Sequence, residues 1–152
     1  MVAMKDERMG QDHSDIVAAV GRELSALLVD FRATVNACAE AFDADLQPAA
    51  YQVAVLLSAR GAAKAGALAG KLAMDKSAVS RLAKSLCGAG LAMATPDPAD
   101  GRGVLYSLTE KGEAQIRAAN LVKVDAYYAR IEGWRDQDLA QFAHLLRKFN
   151  QV

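Results

Sequence analysis

The sequence predicts a mainly α-helical protein with one small β-hairpin, and three observations predict it. A short amphipathic segment from Asp75 to Leu86 gives way to Gly88 and Gly90, then to two alternating runs, LAMAT (91–95) and GVLYSLT (103–109). Between those runs lies Pro96-Asp97-Pro98-Ala99-Asp100-Gly101-Arg102. Its Asp-Pro and Asp-Gly steps mark a turn, because Pro presets φ and Gly accepts φ > 0. On both sides of this centre, apolar residues recur at intervals of three and four over lengths that only helices reach.

The central helix is expected to have two unlike faces. At roughly 100° per residue, Lys76, Ser77, Ser80, Arg81 and Lys84 share about 140° of arc. Ala78, Val79, Leu82, Ala83 and Leu86 lie opposite and should pack on the rest of the domain. Asp75 is the expected N-cap, and the glycines beyond Leu86 release the backbone. The polar face carries three cations, two hydroxyls and no carboxylate. A solvated face normally mixes charge signs, whereas these side chains bond phosphate oxygens and base edges.

The hairpin is read as a half-buried ribbon whose core side carries Leu91, Met93, Val104, Tyr106 and Leu108. Arg102 is placed near its tip, with Asp100 two residues away to orient the guanidinium; an ordinary solvated turn arginine is the competing reading. A cationic helix followed by such an arm can enter a major groove while the arm reaches the neighbouring phosphates or minor groove. The expected fold is therefore a winged helix-turn-helix.

The order Leu68-Ala69, Asp75-x-Ser77-x-Val79-Ser80-Arg81, Leu86, Gly90-Leu91, Asp97-Pro98-x-Asp100-x-Arg102 and Ser107-Leu108-Thr109-x-Lys111-Gly112 resembles the MarR family of bacterial transcription regulators. The motif-rich match covers about 45 residues, and its combined spacing is what makes it specific. The resemblance implies a homodimer held by its terminal helices, a recognition helix starting at Asp75 and a wing carrying Arg102. It also implies release of DNA on binding a small, often aromatic or phenolic, ligand or on oxidation of a cysteine. Relatives often carry a cation where this chain has Ala94 and at the end of the recognition helix, where it has Cys87. They generally cap the preceding helix with Ser or Thr, where this chain reads Lys64-Ala65-Gly66.

The ends read as a helical dimerisation region, residues 14–45 and 113–152, around a winged-helix domain at 46–112. Residues 1–13 are taken as a disordered tail. Ser14 or Asp15 would cap a helix whose seam runs Ile16, Val20, Leu24, Leu27, Phe31, Val35, Cys38, Phe42. Pro48 suits the first turn of the next helix, and Thr109 should cap the one carrying Ile116, Val124, Tyr128 and Ile131. Beyond Gly133, a last helix bears Leu139, Phe142, Leu145 and Phe149. Stripes this long imply a partner, most simply a second copy meeting at Ile16, Val20, Leu139, Phe142, Leu145 and Phe149. Phe31, Tyr51, Tyr127, Tyr128 and Trp134 fall near the junction of the two regions, where they could line an effector pocket or simply be core.

The net charge is zero, but its distribution is uneven. Residues 60–111 hold eight cations against four anions, a net +4 offset by −4 across the ends. A positive centre between acidic arms would orient the molecule on double-stranded DNA. No stretch approaches the roughly 18 apolar residues of a membrane span, and the polar start lacks a signal peptide's apolar core. The expected location is the cytoplasm, with reduced thiols. Cys38 belongs to the first helix's apolar stripe. Cys87 lies near Lys84, which could depress its pKa and make it oxidisable, although the commoner reading is a small residue filling the helix end. His13 and His144 are far apart in sequence, no metal-ligand spacing or phosphate-binding loop is present, and neither cofactor nor enzymatic activity is expected. The rival readings are a winged helix that has lost DNA affinity and serves as a protein-interaction module, supported by Ala94 and Cys87, and a small enzyme for which no constellation speaks.

Overall fold

The computed structural model describes the backbone of residues 3–151, with side chains from Asp12 onward except at Arg102. Six helices and three short strands follow in the order α1 (Ala3–Phe42), α2 (Pro48–Arg60), β1 (Ala63–Lys64), α3 (Ala65–Leu72), α4 (Lys76–Gly88), β2 (Ala92–Asp97), β3 (Asp100–Leu108), α5 (Glu110–Ile131) and α6 (Asp136–Phe149). The helix expected from Ser14 starts eleven residues earlier, at Ala3, so both proposed caps lie inside α1 and the expected tail is helical from Ala3 on, its first two residues lying outside the described ones. The reason is local: Met4, Lys5, Glu7, Arg8, Met9 and Gln11 are good helix formers, and within that run only Asp6 and Gly10 oppose them.

Pro48 occupies the first turn of α2, where its missing N–H costs nothing. Thr109 caps α5, its hydroxyl accepting from Gly112 N–H at 3.1 Å. The same hydroxyl donates to the Gly90 carbonyl at 2.8 Å, and Thr109 N–H reaches Leu91 O at 3.0 Å. Lys111 Nζ adds a bond to Ala89 O at 3.0 Å. The end of α4 and the start of α5 are therefore laced together, with the hairpin looping out between them. Asp75 stands at the N-cap position of α4, but its carboxylate makes no cap bond, a departure from expectation.

The strands form one antiparallel sheet in the order β1-β3-β2. Ala92 faces Leu108, Ala94 faces Tyr106 and Pro96 faces Val104, with an irregularity between Pro96 and Asp97. Here the hairpin departs from its expected pattern. Tyr106 and Ala92 are buried, while Met93 and Val104 are about half exposed at 50% and 44%. Leu91 is buried ahead of the strand rather than in it, so Met93, two residues on, does not share its side. The outer half of the ribbon projects beyond the core that would have covered it.

One apolar cluster gathers Val53, Leu57, Leu68, Val79, Leu86, Leu91 and Tyr106 together with Cys38 and Phe42 of α1 and Ile116 of α5. The terminal helices thus contribute to the winged-helix core where they enter and leave it. Phe42 and Tyr51 rings meet there at 5.7 Å. Farther out, α1 and α5 are tied by Arg130 and Asp30 at 3.1 Å. Helix α6 opens with a bidentate pair from Arg135 to Asp138 at 2.8 and 3.0 Å, and none of its residues is buried.

Candidate nucleic-acid interface

Helix α4 is amphipathic because its apolar positions recur at the helical period, and the structure buries Val79, Leu82, Ala83 and Leu86 beneath it. The opposite face leaves Lys76, Ser77, Arg81 and Lys84 exposed and Ser80 partly so. Ser85, at the same outer surface, turns its hydroxyl back to Arg81 O at 3.1 Å. The five expected residues therefore lie on one outward surface without a carboxylate among them. Such a surface presents donors to an acidic polymer without internal neutralisation.

The hairpin beside it is tighter than its sequence suggested. The turn expected over 96–102 contracts to Pro98 and Ala99, because Asp97 already pairs with Asp100. Asp97 Oδ1 accepts from Ala99 N–H at 2.9 Å, a side chain standing in for a turn bond. Arg102 consequently sits within β3 instead of at the tip, and its side chain lies outside the described residues. Asp100, expected to orient that guanidinium, places a carboxylate oxygen 3.7 Å from Lys64 Nζ.

Sequence reasoning missed the role of Lys64. Its ammonium meets Asp97 Oδ2 at 2.6 Å. Asp97 is the buried charged residue of the described structure, 7% exposed, and its partner reaches it from the residue before α3. The hydrogen bond to Lys64, reinforced by the Ala99 N–H, holds the Asp97 carboxyl below the usual aspartate range. The same bond pushes the lysine above its ordinary value. The available signal was a lysine where a small hydroxyl residue would cap the helix, followed thirty-odd residues later by an aspartate at an irregular turn.

Arg60, Lys64 and Lys76 surround a groove of about 500 Å³ between α2, β1 and the starts of α3 and α4, floored by Leu68 and Leu105. No carboxylate lines it. A smaller recess of about 460 Å³ is lined by Gly133, Trp134, Arg135 and Asp138. Of the five aromatic residues expected to share an effector pocket, Trp134 alone lines either cavity. Tyr51 is core: it is 5% exposed and its ring lies tilted against Phe42. Burial first, then Cys38 and Tyr127, pushes its hydroxyl up to about 12. Trp134 packs edge-on against Phe142 at 5.6 Å, while Phe31, Tyr127 and Tyr128 are exposed on α1 and α5. One protomer does not bring the five together.

Cys87 is partly buried at the end of α4. Partial burial pushes its thiol up rather than down, which lowers the thiolate fraction that oxidation needs. Cys38 is buried in the core as expected. Among the described residues no cluster of His, Cys, Asp or Glu could hold a metal ion. Nor is any described helix long and apolar enough to cross a membrane.

A short helix pair, α3 and α4, followed by an antiparallel hairpin and a third strand from the preceding loop, defines a winged helix-turn-helix protein. Residues 44–103 match the model of the MarR family. Over this winged-helix segment the chain is similar to the MarR family. It is 28% identical over 108 residues to YxaD, an HTH-type transcriptional regulator of Bacillus subtilis (strain 168), spanning 71% of this chain and 76% of that one. The YusO protein of Bacillus subtilis has a similar fold, with a TM-score of 0.70 at 21% identity over 91% of this chain and 97% of its own. A mutant of MarR from E. coli, solved in complex with operator DNA, gives a TM-score of 0.62 at 23% identity over 82% and 91% of the two chains.

Proposed function

We propose that this chain is a homodimeric, cytoplasmic DNA-binding regulator that represses transcription by occupying a pseudo-palindromic operator. The observation that carries the reading is the outward face of α4, with Lys76, Ser77, Ser80, Arg81 and Lys84 on one carboxylate-free surface beside the hairpin. Helix α4 is the recognition helix for the major groove, and β2–β3 is the wing that brings Arg102 to the flanking backbone or minor groove. The complex of the E. coli MarR mutant with operator DNA supports the reading, since its fold is similar to this one.

A second copy is supported by the apolar residues left on the arms. Ile16, Val20, Phe142, Leu145 and Phe149 are between 42% and 63% exposed in one protomer. A two-fold pair would cover them and set two recognition helices about one helical turn of DNA apart, roughly 34–36 Å. A small aromatic or phenolic effector belongs to the same reading. Its support is the exposed rings of Phe31, Tyr127 and Tyr128, which a second protomer could enclose.

The test is selection of duplexes from a random pool, followed by titration of the best sequence at several salt concentrations. The reading requires an inverted-repeat consensus and an affinity that falls steeply with salt, as phosphate contacts dictate. Binding without sequence preference, or none at all, would favour the rival in which the fold serves as a protein-interaction module.

A further inference from the structure

We propose that Lys64 is a positioning residue for the wing, pinning the hairpin turn to the start of α3 so that wing and recognition helix present to DNA as one rigid surface. The proposal rests on the DNA-binding reading above and deepens it by assigning a role to a residue that reading does not use.

A two-stranded ribbon held only at its base pivots, because nothing fixes its angle. The base of this hairpin is firmly held: Leu91 N–H bonds Leu86 O at 2.9 Å, and Thr109 N–H bonds Leu91 O at 3.0 Å. Those bonds fix where the strands leave the core and leave their direction open. Toward the turn, the described contacts with the rest of the domain converge on Lys64. Its backbone lies in β1, opposite Leu105, with Ala63 opposite Tyr106, and this two-residue ladder delivers the side chain alongside the outer hairpin. The ammonium then reaches Asp97 Oδ2 at 2.6 Å and Asp100 Oδ2 at 3.7 Å, one aspartate from each strand.

Three local features are built around that contact. The irregularity between Pro96 and Asp97 turns the Asp97 carboxylate inward. Its two oxygens divide their work, Oδ1 organising the turn through Ala99 N–H and Oδ2 holding the lysine. Gly103 makes the room: a Cβ there would stand 3.3 Å from Lys64 Cε and 3.2 Å from both Asp97 Cβ and Asp100 O. A side chain at 103 would press on the lysine stem and the turn together.

The side chain of Lys64 also does not cap α3, the task a hydroxyl would perform at that position. It crosses to the hairpin instead. The consequence is a hold at the base through Leu86–Leu91, along the flank through the β1–β3 ladder, and near the tip through Lys64–Asp97. That hold sets the distance between Arg102 on β3 and Arg81 on α4, and therefore the spacing of major-groove and flanking contacts on the duplex. One protomer's bridge is a single polar contact, but the dimer uses it twice.

Two readouts test this, one with DNA and one without. Lys64→Met keeps the stem and removes the charge, Lys64→Arg keeps the charge, and Lys64→Met with Asp97→Asn removes both partners without leaving a lone carboxylate. In the free protein, amide hydrogen exchange at Ala99, Asp100, Gly101 and Gly103 should quicken about tenfold in Lys64→Met and return toward wild type in Lys64→Arg, while core amides of Leu86 and Leu57 stay unchanged. On a duplex selected by the wild-type protein, Lys64→Met should bind about tenfold more weakly and Lys64→Arg should recover most of the loss. The double variant should match Lys64→Met, since the two residues act through one contact. Unchanged exchange in the wing would overturn the clamp, and a loosened wing with full affinity would overturn its positioning role. If the wild type selects no duplex, the DNA-binding reading fails, and the exchange arm still decides whether Lys64 holds the wing.

Discussion

The backbone of Leu91 passes so close to Gly112 that a Cβ on the glycine would overlap the Leu91 carbonyl group, with Leu108 Cδ2 only 3.3 Å away on its other side. Gly112 lies in the first turn of α5, two residues inside the helix and fully packed. Its lack of a side chain lets the helix start directly beneath the strand entry, where Thr109 ties both to the end of α4. Gly112→Ala should therefore cost about 3 kcal/mol, the upper end for overpacking, because what the methyl meets is backbone. The thermal midpoint should fall by about 10 °C. Gly70→Ala provides the contrast: nothing lies within 4 Å, φ is ordinary and the site is helical, so that variant should gain up to about 1 kcal/mol. Equal effects of the two in calorimetry would refute the close-approach argument.

Arg81 lies mid-face on α4 and exposed, its side chain turned away from the core formed by Leu82 and Ala83. Arg81→Ala is expected to leave the circular dichroism spectrum and sedimentation of the protein unchanged. Each half-site would lose about 1–3 kcal/mol of contact, so a dimer should bind about thirtyfold more weakly or worse. Full operator affinity in a band-shift titration would remove α4 from the interface.

Much of this surface was legible in the sequence because periodicity and charge act locally. Val79, Leu82 and Leu86 repeat at the helical spacing, so the cationic face of α4 follows from chain order alone. The wing was legible only in outline. Its turn contracts because Asp97 bonds Ala99 and Lys64 at once, and the second partner comes from a segment over thirty residues away. Strand β1 carried no signal at all: Ala63 and Lys64 have little strand propensity and become extended by pairing with Tyr106 and Leu105. The aromatic residues separate for a similar reason. Tyr51 points into the core and Trp134 onto Phe142, a partition that helix order decides and helix period does not.

Acid should act on the wing through Asp97. The folded structure lowers its pKa, chiefly through Lys64 and then through Ala99 N–H, so the stabilisation is complete above the ordinary aspartate value of 3.8 and is lost as pH falls through the folded value. Lys64 is raised, so its half of the contact is complete below 10.5 and fades as pH climbs through its folded value. Between those limits the bridge contributes a constant amount. Urea titrations from about pH 5 down to about pH 2 should show a shallower loss of stability in Asp97→Asn than in the wild type. Parallel curves would mean that other carboxylates account for the acid limb.

Helix α6 buries none of its residues, yet Phe142, Leu145 and Phe149 recur along it at 42%, 49% and 57% exposure, with Trp134 seated on Phe142. On α1, Ile16, Val20, Leu27 and Phe31 are likewise 45% to 63% exposed and fall on one side of the helix. Full burial of such a side chain is worth about 1.5–3 kcal/mol, so a face of this extent in water is a large uncompensated cost. In the proposed two-fold pair a second copy would cover both faces by symmetry, with each substitution counted twice across the axis. Phe142→Glu combined with Leu145→Glu would set like charges against each other in an apolar seam and should yield a monomer in sedimentation equilibrium. The winged-helix core lies elsewhere, around Leu57 and Leu86, so the monomer should keep its helical spectrum. Operator affinity should nevertheless fall by orders of magnitude, because one recognition helix alone reads half a site and loses the second by separation rather than by contact. A monomer that retained full operator affinity would detach DNA recognition from assembly, and a variant that remained dimeric would move the interface off α6.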